Sequence, residues 1–118
     1  IPMNPTPPTT PVEIDVHTVQ QLRSSEEDFL LLDCREIEEW QTVKLDGATL
    51  IPMGSMPARI GELEPYRDKR IVVYCHHGGR SLQVTRWLRQ NGFDQAQNMR
   101  GGIDAWSLKI DPSLPRYR

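Results

Sequence analysis

Arg70-Ile71-Val72-Val73-Tyr74-Cys75-His76-His77-Gly78-Gly79-Arg80-Ser81 is the stretch whose reading decides the fold. Its first half is unbroken, apolar and rich in β-branched residues, which predicts a strand buried on both faces as in a parallel sheet. The strand stops abruptly at Cys75 and a short turn with two glycines follows. Ser81 then opens a helix through Val84, Trp87, Leu88 and Gln90, closed by Asn91-Gly92, a pair suited to the positive φ of a helix end. Strand, tight turn and helix in immediate succession predict an α/β unit.

The same alternation runs outward in both directions. Val12 to Ile14 reads as a short strand leading into a helix through Val19 and Leu22. Phe29-Leu30-Leu31-Leu32-Asp33 is a second buried strand ending in a carboxylate, followed by a short helix around Ile37 and Trp40. Ala48 to Ile51 is a strand closed by Pro52, after which Met56, Ile60 and Leu63 fall on one helical face before Pro65. Strands separated by helices of this length pair in parallel through helical crossovers, so a three-layer α/β sheet is expected. Ligands in such sheets bind at the carboxyl ends of the strands, and Cys75 sits at one.

Composition narrows the function. The 118 residues suit a single domain, with 25% charged and 37% hydrophobic residues, as in ordinary globular proteins. A formal charge of −2 argues against a nucleic-acid surface, so any anion site must be local. No segment reaches the roughly 18 apolar residues of a membrane span, and no signal peptide is visible, so no membrane association and a cytoplasmic location are expected. Residues 1–11 hold five prolines and read as a flexible tail, leaving residues 12–118 as the domain. The two cysteines, Cys34 and Cys75, are too few for a disulfide framework and lack the spacing of a structural zinc site.

The turn from Cys75 to Arg80 carries the chemistry. Its backbone N–H groups are expected to point inward, Gly78 and Gly79 allow backbone conformations closed to other residues, and the following helix adds its positive end. Arg80 places a guanidinium nearby. Such a loop should cradle an anion and hold Cys75 as a thiolate, either a nucleophile or a sulfur carrier.

Cys75-His76-His77-Gly78-Gly79-Arg80-Ser81 resembles the active-site loop of the single-domain rhodanese family. Three further elements agree in order and spacing. Leu32-Asp33-Cys34-Arg35-Glu36 with Glu39-Trp40 resembles the family's Asp-x-Arg-Glu strand end, Gly47-Ala48 with Ile51-Pro52 its Gly-Ala and Ile-Pro pair, and Arg100-Gly101-Gly102 through Trp106 its Gly-Gly-x-x-x-Trp signature. The resemblance implies a three-layer rhodanese-like fold with a central parallel sheet of about five strands flanked by helices. It also implies a sulfurtransferase in which Cys75 takes sulfane sulfur from a donor such as thiosulfate or a protein persulfide and passes it to a thiophilic acceptor. Amides of residues 76–80 would stabilise the thiolate and persulfide, Arg80 would orient the donor's charge, and His76, His77, Gly78, Gly79, Arg80 and Ser81 would form the substrate site. No metal or organic cofactor is called for. The partners implied are a small anionic sulfur donor and a sulfur-carrier or desulfurase protein.

Two other functions are weighed against this one. Phosphatases and arsenate reductases of similar fold place five residues between cysteine and arginine, enough to wrap a tetrahedral oxyanion, whereas only His76 to Gly79 intervene here. A non-catalytic rhodanese-like interaction module is the other alternative, although such modules often lose the cysteine or arginine kept in this chain.

The remaining residues read mainly as structure. His76 and His77 are neighbours with no carboxylate close in sequence, so they are expected to line the loop mouth, where protonation would favour anions, and not to bind metal. Asp33 and Arg35 should brace the strand end through ion pairs with Glu38 or Glu39. Cys34 reads as a small buried hydrophobe, with a thiol that resolves a Cys75 persulfide as the alternative. Trp106 should anchor the last helix. Residues 110–117 resemble the end of small rhodaneses and of rhodanese domains fused to adenylating enzymes, and their prolines predict an extended path over the surface.

Overall fold

In the computed structural model, which describes residues 10–118, the strand read first is central. Ile71–Tyr74, labelled β4, is fully buried, as its apolar side chains on both faces require. It pairs in parallel with Leu30–Asp33 (β2) on one side and Ala96–Met99 (β5) on the other. Glu13–Ile14 (β1) and Thr49–Leu50 (β3) form the edges, giving the order β1-β5-β4-β2-β3. The expected five-stranded parallel sheet is therefore present, with the fifth strand at a place the sequence pattern did not mark. The tail expected over residues 1–11 lies outside the described residues as far as residue 9. Thr10 and Pro11 are tied to the domain, since their carbonyls accept from Arg89 Nη2 at 2.8 and 3.1 Å.

Two apolar layers cover the sheet. Leu30, Leu32, Cys34, Ile71, Val73 and Cys75 face Val84 and Leu88 of the helix Gly79–Gln90 (α4), together with Met56 and Leu63. The opposite face carries Leu31, Val72, Tyr74 and Met99 against Val19 of Val16–Ser24 (α1) and Ile103 and Trp106 of Gly102–Lys109 (α5). Trp106 is buried where it was expected to anchor α5. The short helix around Trp40 is Ile37–Thr42 (α2). The single helix expected through Met56, Ile60 and Leu63 is instead a four-residue α-turn, Met56–Arg59 (α3), between 3₁₀ segments at Met53–Ser55 and Ile60–Tyr66. Pro65 lies inside the last of these, and its missing N–H explains why no regular α-helix forms there. Among the described residues no helix is long and apolar enough to cross a membrane.

At the carboxyl end of β2, Asp33 and Arg35 form a fully buried ion pair at 2.6 Å. Arg35 Nε reaches both Asp33 oxygens, its Nη2 also donates to the Val43 carbonyl at 2.7 Å, and its Nη1 donates to the Tyr117 hydroxyl at 3.0 Å. Expected to be braced by Glu38 or Glu39, the pair is braced by backbone and by Tyr117. Glu39 meets Arg35 only through its carbonyl, at 3.5 Å. Such a charge survives burial because every side has a partner. Arg35→Met, which leaves Asp33 buried and unpaired, is expected to cost about 3–5 kcal/mol of unfolding free energy by urea denaturation; an unchanged midpoint would contradict this account.

Candidate functional site at the end of β4

The chain leaves β4 at Cys75 and must turn within a few residues to enter α4. Gly78 makes this turn at φ +109°, a conformation that strains any residue with a Cβ. The expectation that Gly79 has the same role is corrected: it has no positive φ and is the first residue of α4, so the helix starts two residues before Ser81.

The turn directs donors at sulfur. Cys75 Sγ accepts from the Gly78 amide at 3.1 Å and the Ser81 amide at 3.4 Å, and the Ser81 hydroxyl lies 3.3 Å away. The thiolate is thus held by Gly78 and by Ser81, the latter beyond the 76–80 amides that were expected. The Ser81 amide is free to donate because it lies in the first turn of α4, where N–H groups have no partner within the helix. A neighbouring thiol, Cys34, packs in the same buried cluster, with its Sγ 3.5 Å from the Tyr74 carbonyl. The nearness of this thiol leads the causes that pull the Cys75 pKa down to about 4, with the Ser81 and Gly78 bonds adding to it against the opposing effect of burial. The proton shifts to the partner: beside a thiolate and out of water, Cys34 is pushed far above the ordinary thiol range.

Asn98, in the middle of β5, holds this cradle from below. Its Oδ1 lies 2.5 Å from Ser81 Oγ, and its Nδ2 donates to the Gly78 carbonyl at 3.2 Å and to Glu13 Oε2 at 2.8 Å. Sequence reading passed over it, although a polar residue fully buried within a sheet needs such partners.

A second support comes from α5. The amides of Ile103 and Asp104 donate to the carbonyls of Cys75 at 2.9 Å and His76 at 3.1 Å. The turn's carbonyls therefore cap the start of α5, while its amides remain for sulfur. This contact gives the Gly-Gly pair a physical role. Gly101 and Gly102 both have positive φ, +85° and +64°, and a Cβ on Gly102 would collide with the carbonyls of Cys75 and His76.

Arg80 departs from expectation. Its Nη1 and Nη2 make a paired contact with the two Glu39 oxygens at 2.7 and 2.8 Å, leaving its fork on a carboxylate of the protein and not on the sulfur. Arg80 in turn holds the Glu39 carboxyl down to about 2, with help from the Tyr117 hydroxyl, which donates to Glu39 at 2.6 Å. Tyr117, from the extended C-terminal segment, thereby joins Arg35, Glu39 and Arg80 into one network.

The histidines also differ from expectation. His76 is buried and stacked between His77 and Tyr117, with ring centroids 3.8 Å apart on both sides. Burial, and then the neighbouring His77, push its pKa down, so it enters the neutral pH range as an uncharged ring and gives the loop no positive charge. His77 is the exposed member, with Nε2 3.7 Å from Asp104. Folding thus brings in the carboxylate that the local sequence lacked, and His76, His77 and Asp104 each place a potential ligand atom within 4.8 Å of the others. The two imidazole rings are stacked on one another, and Asp104 is already paired with Arg116 at 2.8 Å. Both features weaken this group as a metal site.

Strand-end cysteine, turn, helix start and Gly-Gly contact coincide with a known family pattern, since the profile of the rhodanese-like domain matches residues 15–109. The chain belongs to the rhodanese-like family. Among curated relatives, it is 37% identical over 95 residues to a protein of Allochromatium vinosum named sulfurtransferase, covering 80% of this chain and 87% of that one. It is 36% identical over 107 residues to the Arabidopsis thaliana rhodanese-like/PpiC domain-containing protein 12, chloroplastic, covering 87% of this chain but only 35% of that longer protein. The solved structure of the human single-domain sulfurtransferase TSTD1 superposes with a TM-score of 0.72 at 26% identity, over 84% of this chain and 97% of that one. The rhodanese-like architecture anticipated from the sequence is thereby established.

If the Gly102 contact shapes the loop, Gly102→Ala should lose at least ~1–2 kcal/mol from backbone strain alone, with a further loss from the collision. Gly54→Ala, at a position with open space around it, serves as the control. Equal melting temperatures for the two variants would refute the role given to Gly102.

Proposed function

We propose that the protein is a sulfurtransferase in which Cys75 carries sulfane sulfur as a persulfide. The observation that carries this reading is the Cys75 sulfur itself, at a strand end with the Gly78 and Ser81 amides as donors and a pKa near 4. Such a thiolate is present throughout the neutral range without a general base. It is also a good leaving group, which a carrier that must later release sulfur requires.

The reaction balances without a metal or an oxidant. The thiolate attacks the outer sulfur of thiosulfate, a sulfur–sulfur bond forms, and the bond to the sulfonyl sulfur breaks, so sulfite leaves with the electron pair. An acceptor thiolate then attacks the outer sulfur of the persulfide, and Cys75 returns as the thiolate. A protein persulfide supplied by a desulfurase fits the first step equally well, and a sulfur-carrier protein fits the second.

The structure changes how the donor would be held. With Arg80 engaged by Glu39 and His76 uncharged, the donor's negative charge falls to the start of α4, where the Gly79 and Arg80 amides have no partner within the helix. Arg80 acts mainly by fixing the loop to α2 through Glu39. The four-residue span from Cys75 to Arg80 favours this compact sulfur site over an oxyanion-wrapping phosphatase loop. An intact cysteine and its donors likewise favour catalysis over a purely binding module.

Mass spectrometry after exposure to thiosulfate tests the proposal. One added sulfur, removed by cyanide or a thiol and absent from Cys75→Ser, is the expected result. A gain that persists in Cys75→Ser would move the carrier elsewhere; no gain from thiosulfate or from a cysteine persulfide would leave the binding module as the better reading.

A further inference from the structure

Cys34 has no part in the reaction above, yet the sheet places it directly beside Cys75. In the parallel ladder between β2 and β4, Leu30 stands opposite Ile71, Leu32 opposite Val73 and Asp33 opposite Tyr74. The ladder extends one step further, since the Cys34 amide donates to the Tyr74 carbonyl at 3.1 Å, and this step brings Cys34 level with Cys75. Alternate residues of a strand share a face, and Leu30, Leu32 and Cys34 pack in the same apolar cluster as Ile71, Val73 and Cys75. Neighbouring strands lie about 4.8 Å apart, within the ~4.4–6.8 Å Cα separation that a disulfide spans. Both cysteines are free and buried, and the Cys34 Sγ lies 3.5 Å from the carbonyl of Tyr74, the residue before Cys75.

We propose that Cys34 is a resolving thiol that closes a reversible disulfide with Cys75 once a hydroperoxide has oxidised Cys75. The proposal does not depend on sulfur transfer, because it needs only a reactive thiolate with a neighbouring thiol. The Cys75 thiolate attacks one oxygen of the peroxide, the oxygen–oxygen bond breaks, and Cys75 becomes a sulfenic acid with release of hydroxide, or alkoxide from an organic peroxide. Cys34 sulfur then attacks the sulfenic sulfur, the sulfur–oxygen bond breaks, and the hydroxyl leaves with the Cys34 proton as water. The peroxide is reduced and the two thiols are oxidised to one disulfide. Without a neighbour, the sulfenic acid would go on to sulfinic and sulfonic acids, which thiols do not reverse.

The arrangement also sets the order of events. In the resting site Cys34 keeps its proton beside a thiolate, so Cys75 reacts first. Conversion of Cys75 to a neutral sulfenic acid removes the adjacent charge and frees Cys34 to act. The disulfide takes the Cys75 sulfur out of the reach of substrates while leaving it recoverable by reductant.

Hydrogen peroxide treatment followed by peptide mass spectrometry tests this, with Cys34→Ser and Cys34→Val as two independent variants. In the wild type the expected product lacks two hydrogens, joins the Cys34 and Cys75 peptides within one chain, and regains both free thiols with dithiothreitol. Both variants are expected to gain two or three oxygens at Cys75, with no recovery by dithiothreitol. Sulfinic acid accumulating in the wild type as fast as in the variants, or a disulfide joining two chains instead, would overturn the proposal. Neither outcome bears on persulfide formation with thiosulfate, which is measured separately on reduced, peroxide-free protein after the reductant has been removed.

Discussion

The site depends on the contact between the start of α5 and the end of β4. Cys75 and His76 direct their carbonyls at the amides of Ile103 and Asp104. A turn of so few residues can aim one set of backbone groups inward only if the opposite set is satisfied elsewhere. By taking the carbonyls, α5 leaves amides for the Cys75 sulfur. Gly102 makes the approach possible because it has no Cβ to keep the two segments apart. A motif some 25 residues downstream in sequence thus controls the chemistry of the cysteine, through backbone geometry and not through a side chain.

Around this centre the charges are arranged to hold shape. Asp33 and Arg35 fix the end of β2, Glu39 and Arg80 join α2 to the turn, and Tyr117 donates to Glu39 and accepts from Arg35. The low pKa of Glu39 means that the joint with Arg80 persists in mild acid, since a carboxylate with a lowered pKa loses its contribution only as pH falls toward about 2. The cradle therefore stays assembled at pH values where Cys75 itself begins to take up a proton. Its electrostatics come mostly from oriented amides and a neighbouring thiol, because the nearby cation is already matched by a carboxylate.

What was legible in the sequence follows from the same physics. β2 and β4 stood out because a strand buried on both faces must be apolar throughout, and the Cys75 turn stood out because Gly78 must take positive φ. β5 did not, because Gln97 and Asn98 make it look like a loop. Folding satisfies them through Pro11 and Arg70 for the first and through Ser81, Gly78 and Glu13 for the second, partners scattered along the chain. Arg80 looked like a substrate clamp because its competing ligand, Glu39, is 41 residues away. Asp104 beside the histidines and Tyr117 over them were hidden for the same reason. Cys34 looked like a core residue, which it is, but the strand register gives it a neighbour that composition cannot show.

The central claim is that the neighbouring Cys34 thiol and this backbone arrangement together make Cys75 a thiolate under ordinary conditions. Its most direct test is the ultraviolet absorbance of the thiolate followed from acid to alkaline pH, with Cys75→Ser as the blank. The signal belonging to Cys75 is expected to appear as pH rises through about 4 and to be complete well below neutrality. A midpoint near the ~8.5 of an ordinary cysteine would show that the turn, the start of α4 and the Cys34 thiol do not act on the sulfur as described.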